Sequence, residues 1–553
     1  METELLKLIK KALKKTKEEL TLKDIPPVEL EIPSNSKFGD ISTNIAHKIS
    51  RHTHKKVETI TTSLLTNLRT SLESSALEKN IDKIEVKSGF INFFLSKNAY
   101  YKILSRIKKA GELYGCQNIG KRKKVLLEFV SANPTGPLSV AHGRQAAVGE
   151  ALANILRFLN FVVKKEYYVN DKGKQIDLLG QSTKARCLEL MGQTDFQFPE
   201  GGYRGQYIYA IAKQLLAKHK PQTLKEKNIS FFSKYALTYI ISLIKDDLEL
   251  FGVNFDIWFY QSELTKHKKE KKVLVYLKKK NYLYEKDGAL WFKSTLFGDD
   301  KDRVLVKSDG SYTYITPDIA YHEQKKERGF GWLINIWGPD HHGYIPRLKA
   351  ACSALGIQKE ILHVIIVQLC TLFSSGKVVK MSTRDGEFVT LRQVIEQVGG
   401  DAAKFFFLMR RTDSHLDFDL ELARKKTLEN PVYYLQYAHA RICSIIEFGR
   451  KEGIGLTKLD LNYLKEPQEL EIIRVLRLFP DTLINISRTL EPYTLTLYLR
   501  KLASLFHGFY QKHRVVQPNK PQLTGVRLLL IDCVRQVLAN GLLLLGTSAP
   551  TKM

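Results

Sequence analysis

Apolar residues recur along this chain with different periods, and each period marks a region. Near the start Leu5, Ile9 and Leu13 fall one helical turn apart, which predicts an amphipathic helix. The same region ends in the apolar run Gly89-Phe-Ile-Asn-Phe-Phe-Leu95, which reads as a strand. From Lys121 to about Leu391 short apolar runs alternate with helical stretches: Val125–Val130, Phe161–Val169, Leu333–Trp337 and His363–Cys370. That alternation predicts a parallel α/β sheet, whose ligands collect beyond the carboxyl ends of the strands. From Asp401 onward the pattern is helical nearly throughout. The domain boundaries expected from these shifts are 1–117, 118–395 and 396–553.

Composition narrows the class. An apolar content of 44% predicts folded domains with large cores, and 553 residues is long for one core. Lys and Arg number 86 against 58 Asp and Glu, a net charge of +28, which points to a polyanionic partner such as RNA, DNA or an acidic membrane. The apolar stretch Leu528–Leu545 is interrupted by Asp532 and Arg535, so a membrane-spanning helix is not expected. Cysteines at 116, 187, 352, 370, 443 and 533 form no CxxC pair. They predict neither a metal site nor a disulfide framework, and fit a reducing cytoplasm. The N-terminus carries early acids and no small-residue cleavage site, and is not read as a signal peptide. The lysines at Lys266–Lys272 and Lys278–Lys280 suit either a solvated helix face or an RNA backbone, and spacing does not separate the two.

Candidate chemistry begins at Phe129-Val-Ser-Ala-Asn-Pro-Thr-Gly-Pro-Leu-Ser-Val-Ala-His-Gly-Arg144, between a strand-like run and the helix expected over Gln145–Phe158. A helix N-terminus offers unpaired N–H groups and partial positive charge, which suit a phosphate. Glycine and proline in the turn let backbone approach a ligand, and His142, about one turn into the expected helix, carries a ring N–H that could donate to a phosphoryl oxygen. Read alone, a single His is more often structural. A second segment, Phe373-Ser-Ser-Gly-Lys-Val-Val-Lys-Met-Ser-Thr-Arg-Asp-Gly386, combines glycine, serine and basic residues in a loop able to close over a triphosphate.

Together the two segments resemble the paired HIGH and KMSKS signatures of class I aminoacyl-tRNA synthetases. Further segments are similar to bacterial arginyl-tRNA synthetases: Tyr167-Tyr-Val-Asn-Asp-Lys-Gly-Lys-Gln-Ile176, Phe198-Pro-Glu-Gly-Gly-Tyr-Arg-Gly205, Tyr314-Ile-Thr-Pro-Asp-Ile-Ala-Tyr-His322 and Trp337-Gly-Pro-Asp-His-His-Gly-Tyr344. So are Lys37-Phe-Gly-Asp-Ile-Ser-Thr-Asn-Ile-Ala46, Asp417–Ala423, Asn430–Arg441 and Leu545–Pro550, so the resemblance spans essentially the whole chain. It implies a multidomain fold: an α/β N-terminal extra domain, a Rossmann-like parallel-sheet catalytic domain with an insertion, and an all-α anticodon-binding bundle. It further implies ATP-dependent ligation of L-arginine to tRNA(Arg) through an arginyl-adenylate. Mg²⁺ would be carried by ATP, and the enzyme would be a cytoplasmic monomer.

Carried over residue by residue, the resemblance makes Ser139, His142, Lys377 and Lys380 the catalytic candidates. It places Pro134, Thr135, Gly136, Ser139, His142, Gly143, Lys380, Met381 and Ser382 at ATP, and Ser131, Ala132, Asn133, His142 and His342 at arginine. Two departures stand out. Ser139 replaces the first histidine of the general signature, and Thr383 replaces the second lysine, with Lys377 upstream as compensation. A guanidinium is planar and permanently charged, so its pocket needs a carboxylate; Asp318 is the first expectation, with the Tyr314 hydroxyl beside it. Glu128 is either a second carboxylate or half of a strand-end ion pair. For tRNA the expected contacts are Asn44, Tyr433, Tyr434, Gln436, Tyr437 and Arg441, some of whose tyrosines equally suit a core. The competing readings are another class I synthetase or nucleotidyltransferase, and an RNA-binding paralogue without catalysis.

Overall fold

The computed structural model describes residues 2–33, 35–193, 196–379, 389–453 and 459–553. Its contacts divide into two compact units, neither continuous in sequence. One comprises Met1–Tyr114, Ile442–Phe479 and Ser504–Val537; the other comprises Gly115–Arg441, Pro480–Ala503 and Leu538–Met553.

In the first unit the helix expected from Leu5, Ile9 and Leu13 runs Glu2–Glu19, and all three side chains are buried. They share a core with Ile60, Leu64 and Leu68 of the helix Val57–Glu73. An antiparallel sheet lies beside them in the order Ile41–Thr43, Phe90–Leu95, Ile81–Lys87. Gly39 turns with φ +83°, where a Cβ would meet the Phe93 carbonyl oxygen at 2.8 Å. The turn delivers Asp40 into a buried network. Its carboxylate accepts from Leu95 N–H at 2.9 Å, the Tyr100 hydroxyl at 2.6 Å and Arg474 Nε at 3.1 Å. One turn on, Arg477 donates to the Asp40 carbonyl oxygen at 2.9 Å. Asp40→Ala removes the nearer of the two carboxylates paired with the buried Arg474, leaving only Glu471 at 3.6 Å, and should cost about 3–5 kcal/mol of unfolding free energy. Denaturant titration checks this, and a loss under about 1 kcal/mol, the scale of an exposed ion pair, would show that the network does not hold the unit.

The second unit opens with β1 (Lys124–Glu128), α1 (Val140–Phe158) and β2 (Val162–Val169). A helical insertion containing α2 (Gln206–Lys218) and α3 (Ile229–Leu250) leads to β3 (Ile257–Tyr260). A separate antiparallel sheet follows, made of β4 (Leu283–Lys286), β5 (Ala289–Phe292) and β6 (Arg303–Val306). Then come α4 (Ile315–Glu327), β7 (Trp332–Trp337) and β8 (Leu362–Ile366). Strands β8-β7-β1-β2-β3, in that order and all parallel, form the central sheet that the alternating pattern predicts. A further small sheet, β10-β9-β11, consists of β9 (Cys370–Ser374), β10 (Lys377–Val378) and β11 (Leu416–Asp419), with α5 (Leu391–Val398) and α6 (Gly400–Phe407) between its last two strands in sequence.

Two sequence expectations are corrected here. The run His363–Cys370 is not one strand: β8 ends at Ile366, and the Gln368 and Leu369 carbonyls turn away to accept from Arg144. The region after Asp401 contains β11, whose four residues are too few to show a period of two between flanking helices.

The central strand β1 is buried at Val125, Leu126 and Leu127, as a parallel strand covered on both faces requires. Its last residue, Glu128, stands opposite Asn335 on β7 and Glu166 on β2, so a buried polar row crosses the sheet at its carboxyl end. Helix α4 supplies the complement from one face. Lys325 Nζ donates to Glu128 at 2.5 Å, Arg328 donates to Glu166 at 2.5 and 3.0 Å, and the Tyr321 hydroxyl donates to Glu166 at 2.5 Å. Positions 321, 325 and 328 follow the helical period, so one registration of α4 satisfies the whole row. No helix among the described residues is long and apolar enough to cross a membrane.

Candidate active site

A cavity of about 320 Å³ opens at the carboxyl end of β1 and β7, between the start of α1 and the side of α4. A larger groove, about 510 Å³, lies between α2 and α3, but its charged lining residues Lys218, Lys234 and Asp246 are all exposed. The chemistry-bearing cavity is the smaller one, because buried charges converge on it.

The cavity lining includes Asp318 and His322 from α4 and Glu128 from β1. Tyr344 donates its hydroxyl to Asp318 Oδ2. Burial pushes the Asp318 carboxyl up to about 6, countered by that hydrogen bond, raised further by Glu128 and lowered by Lys325. Below it a chain of hydrogen bonds fixes the floor. His322 Nδ1 donates to the Asp318 carbonyl oxygen at 2.8 Å, and Asn335 Nδ2 donates to His322 Nε2 at 3.2 Å. Lys325, fully buried, donates to Asn335 Oδ1 at 3.1 Å as well as to Glu128. Burial holds the His322 ring neutral, its pKa lowered to about 3. Glu128 therefore lines the cavity with its charge already matched by Lys325, the strand-end ion pair that the sequence left open, whereas no ion pair forms at Asp318 among the described residues.

The turn after β1 is strained. Val130 and Ser131 take φ +65° and +38°, a region costly for a β-branched side chain. Ser131 Oγ accepts from Tyr168 N–H at 3.1 Å, and the Ala132 carbonyl accepts from the Tyr167 hydroxyl at 3.0 Å. Asn133 lines the cavity, Pro134 is buried, and the Thr135 carbonyl accepts from the Tyr207 hydroxyl at 2.7 Å. At Gly136 a Cβ would come 3.1 Å from that same hydroxyl, so glycine keeps the turn pinned on α2.

Ser139 is the N-cap of α1, in extended backbone conformation. Its backbone N–H donates to His142 Nδ1 at 3.1 Å, and its Oγ stands at the same distance from that nitrogen. With Nδ1 an acceptor, the proton of the neutral ring sits on Nε2, available to a phosphoryl oxygen. Burial keeps the ring neutral by lowering its pKa to about 4, against a pull from Asp340. The serine thus positions the one histidine that remains. At Gly143 a Cβ would meet Leu391 at 2.7 Å and Phe407 at 3.1 Å, so this glycine admits α5 and α6 against α1.

Several expected residues are not gathered here. Tyr314 is 87% exposed at the N-terminus of α4 and does not line the cavity; the hydroxyl on Asp318 is that of Tyr344. His341 and His342 are both exposed, and of the two it is His341 that lines the cavity, beside Trp337 with ring centroids 5.8 Å apart. His341 and Tyr344 lie three residues apart in the short 3₁₀ segment Pro339–Tyr344, one turn that puts them on the same side of it. Lys377 is exposed on β10, while Lys380, Met381, Ser382 and Thr383 lie outside the described residues. Asn44 is half-buried with Nδ2 donating to Glu31 at 2.9 Å. On helix α7 (Pro431–Lys451) Tyr433 and Tyr437 stack at 6.2 Å, half-buried, and Arg441 is exposed. Gln436, expected at tRNA, is instead buried and donates to Asp401 at 2.8 Å and to the Ser548 carbonyl at 3.1 Å. The residues missed from sequence are Lys325, Asn335 and Tyr344. Lys325 carried a signal, since 318, 322 and 325 share one helical face.

Three family models match: the arginyl tRNA synthetase N terminal domain over residues 3–95, the class I (R) tRNA synthetase catalytic domain over 103–409, and the DALR anticodon binding domain over 435–553. An arginine–tRNA ligase of Citrifermentans bemidjiense is 44% identical over 97% of this chain and 96% of its own. That of Bacillus subtilis is 43% identical over 96% and 95%. The fold matches the arginyl-tRNA synthetase structure of Thermus thermophilus with a TM-score of 0.76, at 20% identity and 99% coverage of both chains. The catalytic-domain match spans more than half of the chain and the full-length identities exceed 40%, so the chain belongs to the arginyl-tRNA synthetases of class I.

Proposed function

We propose that the cavity joins L-arginine to ATP and passes the arginyl group to tRNA(Arg). Arginine ligation to tRNA is the activity of the family, and the observation that carries it here is Asp318, a half-buried carboxylate on the cavity wall with a hydroxyl partner and, among the described residues, no ion-pair partner. A substrate guanidinium supplies that missing charge. Glu128, spent on Lys325, shapes the wall instead. Ser131, Ala132 and Asn133 hold the α-amino and carboxylate end, with His341 on the same rim in place of His342.

In the first step the arginine carboxylate oxygen attacks the α-phosphorus of ATP, and the bond to the bridging oxygen of pyrophosphate breaks. The start of α1 and His142 Nε2–H stabilise charge on the phosphates, with Pro134, Thr135 and Gly136 as the backbone turn beneath them. We assign Lys377, Lys380, Met381 and Ser382 to the same phosphates by family pattern. In the second step the terminal ribose hydroxyl of the tRNA attacks the arginyl carbonyl carbon, and AMP leaves. Magnesium is assigned to the phosphates of ATP; among the described residues no three His, Cys, Asp or Glu side chains converge to hold a metal. Segments 1–117 and 396–553 are assigned to the tRNA, through Asn44, Tyr433, Tyr437 and Arg441, in a cytoplasmic monomer. The net charge of +28 supports a nucleic-acid substrate bound with counterion release.

The test is pyrophosphate exchange with each of the twenty amino acids, with and without total tRNA. Exchange is expected with arginine alone among them. Exchange supported by another amino acid, or none with arginine under either condition, would overturn the reading.

A further inference from the structure

Two residues after His142, Arg144 is completely buried, yet the groups that receive its guanidinium are all backbone carbonyls. Nη1 donates to Gln368 at 2.8 Å, Ser414 at 2.9 Å and Leu369 at 3.3 Å, and Nη2 donates to Arg411 at 2.8 Å. Nε is buried and has no hydrogen-bond partner among the described residues. A buried helix position is ordinarily apolar, as Ala146, Ala147, Val148 and Ala151 are on the same helix. A guanidinium buried without a carboxylate is an expensive alternative, so its carbonyl partners matter.

Those carbonyls come from two segments far apart in sequence. Gln368 and Leu369 precede β9, while Arg411 and Ser414 precede β11, its parallel neighbour. The segments are tied to each other by Gln368 N–H donating to the Thr412 carbonyl at 2.9 Å. From β9 the chain turns into β10, which carries Lys377. It rejoins the start of α1 at Thr390, whose backbone bridges Ser139, and Leu391 N–H donates to the Leu138 carbonyl at 2.8 Å. Arg144 therefore ties α1 to the roots of β9 and β11, and the Ser139–Thr390 bridge ties the start of α1 to the start of α5.

We infer that Arg144 is a positioning residue for adenylate formation: by gripping the roots of β9 and β11 it sets where the Lys377 hairpin stands relative to His142. This rests on the reading that the cavity forms arginyl-adenylate. Arg144 touches neither the arginine wall nor Asp318, so its loss acts on the phosphate side alone. A misplacement of about 1 Å at a reacting centre costs on the order of 10²-fold in rate.

The variant is Arg144→Lys, which keeps the charge but has no planar fork to span four carbonyls. In pyrophosphate exchange its kcat should fall about 10²-fold, while the Kd of arginine measured by calorimetry without ATP stays within about twofold of wild type, the scale of an unbroken contact. A second variant reaches the same root from the other side. Glu491 accepts from Thr412 N–H at 3.2 Å and Oγ1 at 2.9 Å, so Glu491→Gln loosens 411–414 and also removes a negative charge that acts on Arg144. It should show the same split with a smaller loss, about 5- to 10-fold, the scale of one weakened charge-assisted hydrogen bond. If Arg144→Lys does not fold, Glu491→Gln decides. Unchanged kcat in a folded variant, or a fall in arginine affinity that matches the fall in kcat, overturns the positioning role and leaves Arg144 as packing. Absence of arginine-dependent exchange in the wild type would instead overturn the functional reading beneath it.

Discussion

Asp318→Asn should lower kcat/KM for arginine by about 3–5 kcal/mol, roughly two to nearly four orders of magnitude, while ATP still binds. The guanidinium would meet an amide in place of a carboxylate and lose its counter-charge. Wild type should also show an acid limb. The Asp318 carboxyl, raised to about 6 by burial, must be ionised to pair with arginine, so kcat/KM falls about tenfold per pH unit below 6. The asparagine variant should lack that limb.

Stability should move the opposite way. A carboxyl whose folded pKa exceeds its unfolded value favours the fold below the unfolded value and loses that contribution as pH rises through the folded one. Without arginine, the variant should therefore be more stable than wild type at pH 8, by on the order of 1–3 kcal/mol, with the difference vanishing near pH 4. Near wild-type kcat/KM for arginine in the variant would remove Asp318 from the pocket. Equal stabilities across that pH range would show that its ionisation is not penalised in the empty site.

His142→Ala should slow single-turnover adenylate formation by about 10²- to 10³-fold, the scale of one donor lost from a site of developing charge. Ser139→Ala should cost roughly tenfold, about one neutral hydrogen bond, because the Ser139 backbone N–H still holds Nδ1 after the hydroxyl is gone. The reverse order would mean that Ser139, and not His142, meets the phosphates. Because burial has already lowered the His142 pKa to about 4, its contribution should be flat with pH from 6 to 8. A rate rising as this ring titrates within that range would contradict a neutral donor.

Local pattern alone made the central sheet legible. Val125–Leu127 and Leu333–Trp337 are apolar runs bounded by turns, and such runs have few homes other than parallel strands covered on both faces. The N-terminal helix was equally plain from Leu5, Ile9 and Leu13. The Asp318 pocket could be expected from the chemistry of a guanidinium together with a segment, Tyr314–His322, whose likeness to the family is long. These are properties of neighbours in sequence or of residue type, and a single chain carries them.

What the chain alone did not determine are choices between residues of similar chemistry, and pairings across long separations. Tyr314 and Tyr344 are both tyrosines near the pocket segment; only the seating of the 3₁₀ turn beside α4 puts the second hydroxyl on Asp318. Glu128 was open between substrate and ion pair until the registration of α4 over the sheet placed Lys325 on it. Gln436 reads from the sequence as a tRNA contact and Arg144 gives no signal of its own; their partners lie at 401, 548, 368 and 411, and no local period encodes those distances. The packing of Ile442–Phe479 and Ser504–Val537 with the N-terminal region, through Arg474 on Asp40 and Asp532 on Lys108, was likewise invisible. Periodicity reports which face of an element is apolar, whereas which element covers that face is decided by long-range closure, and only the folded structure contains it.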